Sequence, residues 1–174
     1  MRKLSMEELG RKSVEDFKLA DKKPLVVVMD NIRSMHNVGS VFRTADAFLI
    51  SGICLCGFTP QPPHRDIHKT ALGATDSVDW LYYENTVDAV LALKARGYKV
   101  LAIEQTEGSI MLDEYVDKQM PTAFVFGNEV DGVSDEVIQV CDGVIEIPQW
   151  GMKHSLNISV AAAVVLWEFV RKVD

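Results

Sequence analysis

Cysteine is scarce in this chain: Cys54, Cys56 and Cys141 are the only three among 174 residues. An odd count without C-x-x-C spacing excludes a disulfide framework and a zinc knuckle. Cys54 and Cys56 lie inside an apolar run and read as buried thiols. No uninterrupted apolar stretch is long enough to span a bilayer, and no signal peptide is visible, so a cytoplasmic protein with no membrane partner is expected. Positive charge is also short. Eighteen Lys and Arg face 25 Asp and Glu, a net charge of −7. That balance argues against non-specific wrapping along a nucleic acid and leaves a local basic site open. Repeats and low-complexity linkers are missing too, which leaves no seam for a second domain.

What is present is apolar and alternating in type. Hydrophobic residues make up 48% of the chain, enough for one globular domain with a well-buried core. Residues 1–23 read as a charged N-terminal helical extension in which seven basic residues outnumber five acidic ones. A solvated helix is the first reading of that excess, an RNA-touching arm the second. From 24 to 174 the chain reads as one α/β domain. Strands are expected at 24–30, 52–58, 78–83, 98–105, 122–128 and 143–148. Helices are expected after Asn37, within 59–77, at 86–97 between a Thr86 cap and a Gly97 stop, at 134–141, and from about Ser155 onward. Continuous apolar strands separated by helices imply a mostly parallel sheet with helices on both faces. Ligands of such sheets gather at the carboxyl ends of the strands. The last helix, with VAAAVVLWEFV at 160–170, is apolar nearly all round. One face can pack on the sheet and the other on a second copy, so a homodimer is expected.

Three segments carry candidate chemistry. In TAFVFGNEVDGVSDE (122–136) a strand runs into G-x-x-x-x-G-V-S. Val133 stands where a phosphate-binding P-loop needs Lys, and Glu129 and Asp131 add negative charge. The spacing also fails G-x-G-x-x-G, so neither a polyphosphate nor a Rossmann dinucleotide site is supported, and a nucleotide hydrolase is set aside. Taken alone, the loop reads first as a strand-to-helix turn whose acidic residues suit the helix dipole. If it holds a ligand, a cationic one such as S-adenosylmethionine fits the charge.

In IPQWGMKHSLNISVAAAVV (147–165) Ser155 is a plausible helix cap, and Asn157 either contacts a ligand or satisfies loop backbone. Lys153 and His154 adjoin them, and a lone loop histidine reads most simply as exposed. In NIRSMHNVGSVFRTADAF (31–48) Arg33, His36, Asn37 and Arg43 surround a glycine turn. Arg43, followed by small and apolar residues, is expected to reach a phosphate or a carboxylate, with Glu129 the obvious internal partner. His64 and His68 lie four apart without a fixed third ligand, so no metal requirement is expected.

Together these segments resemble the SpoU/TrmH family of SPOUT RNA methyltransferases. Asn37-Val-Gly39-Ser-Val-Phe-Arg43-Thr44-Ala45 matches N-x-G-x-x-x-R-T-A. Phe126-Gly127-Asn-Glu129-Val-Asp-Gly132 matches F-G-x-E-x-x-G. Ile147 through Ala161 matches I-P-x-x-G-x-x-x-S-L-N-x-S-x-A, and KTALGA (69–74) is similar to the family's middle region. The resemblance covers roughly residues 24–172. It implies a C-terminal trefoil knot, a homodimer with active sites at the subunit interface, S-adenosylmethionine as cofactor, and methyl transfer to a ribose 2′-hydroxyl of RNA. It further implies that Arg43, Asn37, Glu129, Ser155 and Asn157 are active-site residues. Gly127, Ile147 and Leu156 would surround the cofactor, with Ile103 and Glu104 forming another wall.

The alternatives are a SPOUT-fold base methyltransferase, against which Arg43 and Ser155–Asn157 argue, and a non-catalytic S-adenosylmethionine- or RNA-binding module. About 24 residues precede the first strand and almost nothing follows the last helix, which tilts the expected substrate toward tRNA over rRNA.

Overall fold

The computed structural model describes residues 1–5, 7–116 and 121–173. Its frame is a seven-stranded sheet made of β1 (Lys23–Asp30), β2 (Ile50–Cys56), β3 (Trp80–Tyr83), β4 (Lys99–Ile103), β5 (Ile110–Met111), β6 (Thr122–Phe126) and β7 (Gly143–Glu146), in the order β3-β2-β1-β6-β4-β7-β5. Every strand pairing in it is parallel. The central strands are apolar without alternation because both of their faces are covered. Leu25, Val27 and Met29 of β1, with Phe124 and Phe126 of β6, enter one core cluster. Val26, Val28, Ala123 and Val125, the residues between them, enter the other. The period-two geometry of a strand makes that division.

Helices α1 (Val14–Leu19), α2 (Met35–Ala47) and α7 (Ile158–Val173) supply residues to the first core, and α5 (Thr86–Ala95) and α6 (Asp135–Val140) to the second. The short helices α3 (Arg65–Ala71) and α4 (Ala74–Ser77) pack beside α2. Among the described residues no helix is long and apolar enough to cross a membrane.

Four expectations need correction. Asn37 does not cap α2. Ser34 does, its Oγ accepting the Asn37 N–H at 3.2 Å, while Asn37 itself is buried in the first turn. Thr86 does not cap α5. Asn85 Oδ1 accepts the Val87 N–H at 2.7 Å, and the Thr86 hydroxyl donates to the Asp30 carboxylate instead. That bond helps satisfy a carboxylate only 2% exposed, which also receives Asn31 Nδ2 and the Ser134 N–H. Ser155 does not cap α7. The helix opens three residues later, and Asn157 Oδ1 accepts the Ser159 N–H at 2.9 Å. In the N-terminal extension, α-helix is confined to α1, and Lys23 already belongs to β1.

Gly39 explains the glycine of its segment. A Cβ there would lie 2.1 Å from Thr70 Oγ1 and 2.3 Å from the Ile67 carbonyl oxygen, so α2 and α3 cross at backbone distance. Gly39→Ala is therefore expected to destabilise the protein by about 1–3 kcal/mol in urea unfolding, the usual effect of overpacking a close contact. An unchanged midpoint would mean that α3 yields without strain.

Candidate active site

The chain leaves β1 at Asp30 and turns through Asn31, which is left-handed at φ 55°. The turn aims the backbone N–H groups of Arg33 and Ser34 at the Glu129 carboxylate, at 3.2 and 3.4 Å. One helical turn on, Asn37 Nδ2 donates to Glu129 Oε1 at 2.9 Å, and Asn37 Oδ1 accepts Asn157 Nδ2 at 3.1 Å. A single hydrogen-bonded chain, Glu129–Asn37–Asn157, thus joins the three segments singled out in the sequence. Burial alone would raise the Glu129 carboxyl. Hydrogen bonds from its own backbone, from Asn37 and from the Arg33 and Ser34 amides outweigh it and hold the group below the ordinary glutamate range.

Glu129 also belongs to a closed turn. Asn128 and Gly132 exchange backbone hydrogen bonds at 3.1 Å, and Asn128 Oδ1 accepts the Val130 and Asp131 N–H groups. Gly127 is required by its own chain, since a Cβ there would stand 2.0 Å from the Gly132 carbonyl carbon. Glu104 braces the turn from β4: its Oε2 accepts the Val133 N–H at 3.0 Å and its Oε1 the Gln105 N–H at 2.8 Å. Gln105 Nε2 then donates to the His154 carbonyl at 2.9 Å and ties down the 147–157 segment.

These loops enclose a cleft of about 570 Å³ at the carboxyl ends of β4, β6 and β7. Ile103, Glu104, Gly127, Ile147 and Leu156 all line it, as do Glu129, Ser155 and Asn157. Sequence reasoning missed Gln105, Asn128 and Gln149 on its wall; only the Asn-x-x-Asp-Gly turn chemistry around Asn128 was there to be noticed. Among the described residues the lining contains no Lys or Arg, and Glu104, Glu129 and Asp131 contribute carboxylates. The volume suits a cofactor-sized molecule, and the charge suits a cation rather than a polyphosphate.

Arg43 is elsewhere. Six residues after Asn37 it lies about 120° around α2 and about 9 Å along it, and it lines a different cleft from Glu129 and Asn157. Its expected pairing with Glu129 is not formed; Arg43 is exposed and lines a second cleft of about 730 Å³ together with Arg11, Lys12 and Asp46. The basic excess of the N-terminal segment was the signal for Arg11 and Lys12. Among the described residues there is no group of three or more His, Cys, Asp and Glu able to hold a metal. His64 Nδ1 accepts the Asp66 N–H as the cap of α3. Burial pushes Cys54 and Cys141 up to about 11 and Cys56 higher still, so none is a ready thiolate at neutral pH.

The sequence profile described as the SpoU rRNA Methylase family matches residues 24–167. The chain is 35% identical to the tRNA (guanosine(18)-2′-O)-methyltransferase of Aquifex aeolicus, over 87% of this chain and 71% of that one. It is also 35% identical to a protein of that name from Thermus thermophilus, over 95% of this chain and 84% of that one. An AdoMet-bound rRNA methyltransferase from Sinorhizobium meliloti superposes with a TM-score of 0.80 at 30% identity; the similarity covers 86% of this chain and 56% of that one.

Because hydrogen bonds lower the folded-state value of Glu129, its contribution to stability is full above the ordinary glutamate value of about 4.3 and is lost as pH falls through the depressed one. Glu129→Gln should therefore destabilise the protein at neutral pH, by on the order of 1 kcal/mol given the exposure of the residue. The gap between variant and parent should close on acidification. A gap independent of pH, measured by denaturant unfolding from pH 7 to 3, would contradict this account of the site.

Proposed function

The chain belongs to the SpoU rRNA methylase family, and on that premise we propose that it is an S-adenosylmethionine-dependent methyltransferase acting on a ribose 2′-hydroxyl of RNA, with tRNA favoured over rRNA. The observation that carries the reading is the Glu129–Asn37–Asn157 chain, which joins all three motif segments beside a cleft whose described lining is free of Lys and Arg. The preference for tRNA rests on the Aquifex and Thermus relatives, both tRNA (guanosine(18)-2′-O)-methyltransferases by name.

Ile103, Glu104, Gly127, Ile147 and Leu156 would hold the cofactor, with apolar walls from Ile147 and Leu156 and carboxylates of the same cleft favouring a cation. When bound, S-adenosylmethionine supplies an electrophilic methyl group on a sulfonium. Glu129, Asn37, Ser155 and Asn157 would hold and orient the ribose whose 2′-hydroxyl accepts the methyl group. Arg43 grips the phosphate next to the target ribose and stabilises the charge developing on the 2′-oxygen, whose proton leaves to water. A guanidinium with a pKa above about 12 is suited to that role and ill suited to a general base.

Residues 24–174 form one SPOUT domain, with residues 1–23 as an extension that brings Arg11 and Lys12 beside Arg43. The trefoil knot belongs to the C-terminal segment that walls the cofactor cleft. The active protein is a homodimer in which Arg43 of one protomer serves the cleft of its partner. Two features support this: Arg43 and Glu129 line different clefts of the same chain, and Val160, Val164 and Trp167 form an exposed apolar stripe on α7.

Incubation with methyl-labelled S-adenosylmethionine and unmodified tRNA, followed by digestion to nucleosides, should place label on a 2′-O-methyl nucleoside. Arg43→Ala should reduce that label by about 100-fold or more. Mixing and re-equilibrating Arg43→Ala with Asn157→Ala should restore about a quarter of the parent activity, because half of the symmetric dimers then carry one intact site. No restoration would overturn the shared site. Arg43→Lys should lose at least about tenfold without moving the pH optimum, since Lys cannot form the bidentate contact. Near-normal activity with a shifted optimum would overturn the phosphate grip.

A further inference from the structure

Phe58 stands out among the large apolar residues because the fold takes trouble to expose it. It follows β2 at the carboxyl edge of the sheet and is 58% exposed. The loop that presents it is fixed from both sides. Gly57 is left-handed at φ 61°, and a Cβ there would lie 2.0 Å from Asn31 Oδ1, which also accepts the Phe58 N–H at 3.2 Å. Tyr82 Oη donates to the Gly57 carbonyl at 3.0 Å. Thr59, 2% exposed, accepts the Ile32 N–H at 2.9 Å and shares its hydroxyl proton between the Met29 and Cys56 carbonyls. The backbone that carries the ring is thus held in place on both sides of Phe58.

The cation beside its face is Arg33, whose guanidinium carbon lies 5.9 Å from the ring centroid. The backbone N–H of the same Arg33 donates to Glu129. The aromatic face and the candidate active site are therefore linked through a single residue.

We propose that Phe58 is a stacking platform for an unpaired base of the substrate RNA, flanking the nucleotide whose ribose is methylated, with Arg33 holding the adjoining phosphate. A rigid exposed ring beside a guanidinium is the arrangement that single-stranded RNA uses most readily, because every base offers a π-face and the backbone needs a cation. The anchored loop means that little conformational freedom is lost on stacking. The inference rests on the RNA-methyltransferase reading and adds to it a residue outside the three matched motifs.

The test compares parent, Phe58→Ala, Phe58→Leu and Phe58→Trp with unmodified tRNA transcript. Cofactor affinity is measured separately by calorimetry. Phe58→Ala and Phe58→Leu should weaken RNA binding and raise the RNA KM by roughly 5- to 150-fold, the range for losing one stacked base. Cofactor affinity and the salt dependence of RNA binding should stay unchanged, because no phosphate contact is lost. Phe58→Trp should retain parent behaviour. Arg33→Ala should instead reduce the salt slope. A parent that methylates tRNA while Phe58→Ala matches its KM overturns the platform and leaves the methyltransferase reading standing. Loss of the dimer by Phe58→Ala in sedimentation overturns it as well, since the ring then serves a second copy. A parent that binds cofactor but neither binds nor methylates tRNA or rRNA overturns both.

Discussion

The hydrogen bond from Asn37 to Glu129 is the contact on which the arrangement of the site depends. It spans 92 positions of sequence at 2.9 Å, and its geometry fixes three things together. It sets the roll of α2 about its own axis. It holds the 127–132 turn against the end of β1. By leaving Asn37 Oδ1 free to accept from Asn157, it also positions the start of α7. Each partner is polar and partly withdrawn from water, so the contact is more costly to leave half-made than its net strength suggests. That asymmetry is what lets one amide impose register on segments drawn from opposite ends of the chain.

Close backbone approach is the second constraint, and it is sterically absolute where hydrogen bonding is graded. Gly39 lets α3 sit on α2, and Gly127 lets the acidic turn fold onto Gly132 and Val133. Both glycines belong to the matched motifs, yet the structure assigns each to the protein's own packing. Gly127 lines the cleft of about 570 Å³ because the turn it permits forms the wall there.

Much of this was legible in the residues. The strands expected at 24–30 and 122–128 were readable because burial on both faces leaves an unbroken apolar run, although the second ends two residues earlier, at Phe126; their registers, Leu25 to Thr122 through Met29 to Phe126, put them side by side as a parallel pair needs. Helix starts were less legible, for one recurring reason. Asn37 and Thr86 look like caps, but tertiary partners, Glu129 and Asp30, claim their side chains, and a residue ahead of each takes over the capping. Strand β5 is two residues long, too short for any periodicity to register. The Arg43–Glu129 pairing failed because nearness in a motif is not nearness in space: six residues along a helix turn a side chain away from its neighbour's target.

That separation carries a consequence for how charge is used. The chain is net negative, yet its chemistry, as proposed, joins a cationic cofactor to a polyanionic substrate. One site cannot suit both, because carboxylates that favour the sulfonium repel phosphate at the same distance. The fold resolves the conflict by splitting the functions between clefts. Glu104, Glu129 and Asp131 line one, with no Lys or Arg among its described residues, and Arg43, Arg11 and Lys12 line the other. Within a single chain the two never meet. In the proposed homodimer, the basic cleft of one chain would meet the acidic cleft of the other where the ribose lies between them. Repulsion between the acidic wall and the RNA backbone would then be limited to the neighbourhood of the target nucleotide. On this view dimerisation is part of the electrostatic solution as well as a way to cover the apolar stripe of α7.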